Sequence, residues 1–123
     1  MRAWMAAEAR RFANTCRWSW AGWRAAWASE KTLRQWTLAN ALSAALALWL
    51  PLSAGERGLI LALGILVLAA ELMNTAVETV VNQLSPDWHP LAGKAKDCAS
   101  AAVALTALAA GVAWVCLIVG LAV

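Results

Sequence analysis

The sequence predicts an all-α membrane protein in which an N-terminal amphipathic surface helix precedes three transmembrane helices. Three observations carry this. Apolar residues make up 63% of the chain and charged residues only 14%, against about 25% charged in soluble domains. The apolar residues gather in runs of membrane-spanning length. Seven of the ten Lys and Arg residues fall between Arg2 and Arg34, the kind of asymmetry that orients a chain across a bilayer. With 123 residues and a mean hydropathy of +0.63, the chain has room for a single domain, 1–123. Spans of about 20 residues each would use half of it, and no separate soluble domain is expected.

Residues 1–29 place Met5, Ala9, Phe12, Cys16, Trp20, Trp23 and Trp27 at steps of three and four, one stripe of a helix. Arg10, Asn14, Arg17 and Arg24 fall on another face. This pattern predicts a helix lying in the membrane interface, with its indole rings at headgroup depth and its arginines reaching lipid phosphates. Trp4, Trp18, Trp20, Trp23 and Trp27 interleave the basic residues, which favours a lipid surface over nucleic acid, and no groove-reading or base-stacking module is present. No cleaved signal peptide is expected, because no short apolar core with a cleavage site precedes the first span.

Ser29 can cap the next helix, the first span at about 33–53, whose apolar stretch runs from Leu38 to Trp49 before Pro51 and Gly55 end it. The second span, 58–81, is continuously apolar from Gly58 to Ala70 and then carries Glu71, Asn74 and Glu78. Glu56 and Arg57 are the only charges of the loop before it. Pro86, Pro90 and Gly93 break the chain between 82 and 97, where Lys94, Lys96 and Asp97 also lie. The third span, 98–122, has no charge, and its small residues Ala99, Ser100, Ala101, Ala102 and Ala104 suit close helix approach. The positive-inside rule makes the N-terminal segment and second loop cytoplasmic. Cys16, Cys98 and Cys116 form no CxxC pair and share no metal-ligand spacing with the single His89.

The chemistry concentrates on one helical face. Steps of three, four and seven bring Glu71, Asn74, Thr75 and Glu78 within about 60° of one another. A charge near the bilayer centre costs at least about 2.5–3.5 kcal/mol on insertion scales, so two acids on one stripe of a span mark a functional site. Lys96 and Asp97 open the third span at the same cytoplasmic level. Glu30 lies where the surface helix gives way to the first span, and together with Glu78 it can supply the oxygen ligands magnesium prefers, phosphate and water completing the shell. No phosphate-binding glycine loop and no protein-kinase signature occurs.

The segments E-L-M-N-T-A-V-E-T-V-V at 71–81, H-P-L-A-G-K-A-K-D-C-A-S-A-A-V at 89–103 and R-A-A-W-A-S-E at 24–30 together resemble the prokaryotic integral membrane diacylglycerol kinase family, Gram-negative type. The resemblance covers nearly the whole chain. It implies a homotrimer in the bacterial inner membrane, with active sites between subunits at the membrane surface. The implied reaction moves the γ-phosphoryl group of ATP, with Mg2+, to the primary hydroxyl of diacylglycerol and yields phosphatidic acid.

By similarity Glu71 is the general base on the lipid hydroxyl, Asn74 helps to hold it, and Glu30 and Glu78 bind the metal. Lys96 and Asp97 contact the nucleotide, with Arg11, Trp18 and His89 nearby, while Arg24, Trp27, Trp49 and Ser100 match positions lining the lipid path. Trp18 stands where relatives commonly have Tyr, Trp36 where Glu is common and Asn82 where Asp is common, so peripheral contacts differ. The Gram-positive branch of the family phosphorylates undecaprenol, which is the alternative acceptor. A non-catalytic scaffold or a channel is the alternative of another class, and a channel predicts polar residues along a whole span rather than at one end.

Overall fold

A computed structural model describes residues 1–122, the side chain of Ala3 excepted, as four helices: α1 Arg2–Ser29, α2 Lys31–Trp49, α3 Ala54–Leu84 and α4 Pro90–Ala122. No strand occurs among the described residues. The chain divides into two compact units, Met1–Glu30 and the remainder from Lys31.

The first unit is α1, continuous over 28 residues. Trp23 and Trp27, one turn apart, stack with ring centroids 6.1 Å apart and an interplanar angle of 24°. The helix stops at Glu30, whose φ of −96° and ψ of 111° are extended. Ser29 does not cap the following helix as its position suggested. Its hydroxyl turns back to the Ala25 carbonyl at 3.3 Å and donates to Glu30 Oε1 at 2.8 Å, the local competition that short hydroxyl side chains offer the backbone.

In the second unit α3 is central and packs against both α2 and α4. The connections, residues 50–53 and 85–89, are short enough to force antiparallel neighbours. Proline at position 51 cannot continue α2, as expected. The next helix begins earlier than the apolar run implied. Ser53 Oγ accepts the Glu56 N–H at 3.3 Å while Glu56 Oε2 accepts the Ser53 N–H at 2.7 Å, a reciprocal capping box. Glu56 and Arg57 are thus residues of the first turn of α3, not of a loop, and Gly55 belongs to the same turn. Arg57 reaches back to the end of α2, its guanidinium donating to the carbonyls of Ala47, Leu50 and Leu52 at 3.0, 3.4 and 3.3 Å. The Ala47 carbonyl left open by the end of α2, and carbonyls of the connection after it, are satisfied in this way.

Beneath that turn Ala47, Leu52 and Ile60 are buried together, covered by Leu50, Ala113, Trp114 and Leu117. Trp114 Nε1 donates to Ser43 Oγ at 2.8 Å, tying α4 directly to α2. Midway along the α2–α3 contact, Asn40 lies so close to Gly64 that a Cβ there would collide with its side-chain oxygen.

Helix α4 also starts earlier than expected, at Pro90 rather than Cys98. Proline breaks a helix interior but suits a first turn, where its missing N–H costs nothing. Lys94, Lys96 and Asp97 therefore sit on a helix. Helices α3 and α4 are long and apolar enough to cross a membrane. Along both, large apolar side chains such as Ile65, Leu66, Leu105, Leu108 and Val112 are exposed. Helix α2, expected as a span at about 33–53, ends at Trp49 and is not among the helices of that length and apolarity, because Lys31, Arg34, Gln35 and Asn40 interrupt its 19 residues.

Candidate active site

The acidic stripe of α3 forms as the periodicity predicted. Glu71, Asn74, Thr75 and Glu78 lie on successive turns of one helix, with Glu71 only 3% exposed and the others half-buried. Asn74 Nδ2 donates to Glu78 Oε1 at 3.2 Å, and Thr75 Oγ1 donates to the Glu71 carbonyl at 3.1 Å. Two acceptors remain open. The Glu71 carboxyl has no hydrogen bond or ion pair among the described residues, and Asn74 Oδ1 is buried without a partner. Buried polar atoms are nearly always paired within a protein, so the buried Asn74 Oδ1 marks a place where the chain is incomplete by itself.

The start of α4 approaches the same face. Lys96 Nζ donates to Asn82 Oδ1 at 2.5 Å, across the α3–α4 hairpin. Asn82 lies eleven residues from Glu71, three turns that return to the stripe within about 20°. That spacing is the signal by which the sequence could have added Asn82 to the site. Lys96 and His89 line a depression of about 300 Å³ together with Asn82, Asp87 and Trp88. His89 Nδ1 accepts the Leu91 N–H at 3.2 Å, and the His89 carbonyl accepts the Gly93 N–H, so this imidazole also organises the first turn of α4.

Asp97, the neighbour of Lys96, does not share that depression. It lines a separate one with Lys94, Cys98 and Trp88. Four residues on from Lys96 and four back from Asn82, antiparallel helices set exposed Ser100 at about the height of Glu78. Trp49, 81% exposed at the end of α2, is near the opposite end of α3, about 25 Å along the axis from Glu71. Within one chain it is not part of the acid site.

The remaining candidates belong to the α1 unit. Glu30 closes that helix, its Oε1 accepting from Ser29 Oγ. Arg11 is paired with Glu8 at 2.9 Å. Trp18 and Arg24 are exposed, and Trp27 stacks on Trp23.

Residues 17–118 match the family model described as prokaryotic diacylglycerol kinase. A protein named diacylglycerol kinase from Pseudomonas aeruginosa is 40% identical over 113 residues, 90% of each chain. The Escherichia coli protein of that name is 40% identical over 96 residues, 78% of this chain and 79% of its own. One from Haemophilus influenzae is 33% identical over 101 residues, 82% of this chain and 86% of its own. The motifs on α1, α3 and α4 and these matches agree, and the chain belongs to the prokaryotic diacylglycerol kinase family, a family of membrane enzymes.

Proposed function

We propose that this enzyme transfers the γ-phosphoryl group of ATP to the primary hydroxyl of diacylglycerol, giving phosphatidic acid, at a site on the cytoplasmic face of the bacterial inner membrane. The observation that carries the reading is the carboxyl of buried Glu71, without a hydrogen bond among the described residues, one turn of helix from the unpaired Oδ1 of Asn74. An ionised carboxyl is an acceptor only, and its unused lone pairs suit the single proton of a lipid alcohol. With Glu71 as general base and Asn74 aligning the hydroxyl, the lipid oxygen attacks the γ-phosphorus in line, the bond to the β–γ bridging oxygen breaks to release ADP, and the proton passes to the Glu71 carboxylate.

Depth supports the assignment. Helix α3 is about 46 Å long, against a hydrocarbon core of about 30 Å. If that core begins near Gly58, it ends near Glu78. Glu71 then lies about 10 Å below the surface, within reach of a glycerol hydroxyl. Helix α2 serves as a third span, its polar first turns at the cytoplasmic surface, and the whole of 1–123 is one kinase domain.

The donor set suits magnesium: Glu30 and Glu78 offer the hard carboxylate oxygens in this reading, and Asn74 Nδ2 holds Glu78 Oε1 at 3.2 Å. Among the described residues no three His, Cys, Asp or Glu side chains gather into a cluster, and in this reading phosphate and water complete the shell. Magnesium, when bound, neutralises charge on the nucleotide phosphates. Lys96 adds a cation from α4, and Asp97, His89, Arg11 and Trp18 complete the nucleotide contacts, while Arg24, Trp27, Trp49 and Ser100 guide the lipid. A homotrimer brings these groups together between subunits.

Transfer of γ-labelled phosphate from MgATP to diacylglycerol and, separately, to undecaprenol in mixed micelles tests the proposal, with Glu71→Gln as control. Labelled phosphatidic acid that disappears in the variant is expected. Labelling of undecaprenol alone reassigns the acceptor, and labelling of neither in folded protein refutes the kinase reading.

A further inference from the structure

Helix α1 carries a row of arginines that nothing in the described chain neutralises. Arg10, Arg17 and Arg24 follow at seven-residue steps, which on an α-helix repeat about every 10 Å with a drift of about 20°. All three are exposed. The one acid inside the helix, Glu8, is committed to Arg11 at 2.9 Å. The row runs along one edge of the face that bears Met5, Phe12, Trp20, Trp23 and Trp27. Of these, all but the half-buried Trp23 are exposed.

A ring-bearing face flanked by a guanidinium row fits a bilayer surface rich in anionic phosphodiester headgroups. Once the rings enter the boundary between headgroups and acyl chains, side chains at the edge of that face sit at phosphate depth. There a guanidinium takes two phosphate oxygens at once. A neutral headgroup offers the same oxygens without the net field that draws the row down. We infer that α1 responds to membrane charge, with Arg10, Arg17 and Arg24 seating the helix on bilayers of net negative charge and holding it less firmly on neutral ones.

The inference rests on the reading of α1 as an interfacial helix and not on the phosphoryl-transfer assignment. Each arginine within reach of an anionic surface shifts the docking equilibrium about five-fold, and high salt screens that shift.

Cys16 lies on the ring-bearing face and is exposed in the chain, so its reactivity reports whether that face is sheltered. The full chain, with Cys98→Ala and Cys116→Ala, is placed in nanodiscs of phosphatidylcholine alone or mixed equally with phosphatidylglycerol. Labelling by a membrane-impermeant maleimide is then timed. Cys16 is expected to react at least about five-fold more slowly in the mixed discs. High salt is expected to remove the difference, and the double substitution Arg10→Gln and Arg17→Gln to shrink it to no more than the about five-fold that Arg24 alone supplies.

Equal protection in both discs means that the rings dock without the arginines and overturns the inference. Equal, rapid labelling in both overturns it together with the interfacial reading, while kinase activity in the same discs is scored separately. Protection in neutral discs that appears only on adding single-stranded RNA assigns the row to nucleic acid and also overturns it.

Discussion

Lys96 on α4 and Asn82 near the end of α3 are joined by a 2.5 Å hydrogen bond between Nζ and Oδ1, which fixes a cation beside the acidic stripe. Lysine is a flexible point charge that loses much rotamer freedom when held, so a fixed acceptor matters if Lys96 is to meet phosphate. A hydrogen bond to a charged group contributes about 1.5–3 kcal/mol. Asn82→Ala should therefore raise the KM for MgATP by on the order of ten-fold or more, with little change in the KM for diacylglycerol. Asn82→Asp, which keeps an acceptor, should stay within about two-fold. An unchanged nucleotide KM in Asn82→Ala would show that Lys96 needs no such support.

Glu71 presents the opposite case, a buried carboxyl that the protein leaves open. Loss of general base catalysis costs about 10²–10⁴ in rate, and Glu71→Gln should lose activity on that scale. Burying a neutral amide costs less than burying a carboxylate, so the same variant should unfold at an equal or higher temperature. A variant that loses both activity and thermal stability would point to a structural role for Glu71.

Much of this is legible in the sequence. The seven-residue return from Glu71 to Glu78 and the proline after Trp49 are local signals, and the helices follow them. What escaped depends on position rather than type. Pro90 and Gly93 read as breakers, yet Pro90 occupies the first turn of α4, so Lys96 and Asp97 are helical and face different depressions. Ser53 and Glu56 carried the three-residue spacing of a capping box in plain view, masked by the longer apolar run after them. Ser29 has an N-cap side chain but spends it on the helix behind. The Asn82–Lys96 contact depends on how two helices meet, which periodicity along one of them does not encode.

Arg57 offers a test of stability separate from chemistry. Its guanidinium serves the Ala47 carbonyl in the last turn of α2 and the Leu50 and Leu52 carbonyls in the connection after it, about 20 Å along α3 from Glu71. Replacement by Met keeps the stem and takes the donor from the part-buried Ala47 and Leu52 carbonyls, while Leu50 keeps the Leu52 N–H, at a cost of about 1 kcal/mol or more. Arg57→Met should lower the midpoint of unfolding in detergent while the turnover of folded enzyme stays within about two-fold. Ser53→Ala, which removes one half of the capping box, should cost about 1 kcal/mol. A large loss of turnover in either variant, with folding intact, would mean that this end of the bundle communicates with the acids.

Gly64 and Asn40 form the tightest approach between α2 and α3. A Cβ at position 64 would meet the Asn40 side-chain oxygen, and Asn40 is not free to swing away without cost, because its Nδ2 donates to the Trp36 carbonyl at 3.0 Å. Overpacking of this kind costs about 1–3 kcal/mol. Gly64→Ala should destabilise the fold by that amount in the parent chain. The alanine should be tolerated, or even favoured by its better helix propensity, when Asn40→Ala has removed the obstructing oxygen. The double-mutant cycle should then yield a coupling of about 1 kcal/mol or more between the two positions. Strict additivity would mean that α2 and α3 separate to accommodate the methyl group, and that the glycine is not what sets their spacing.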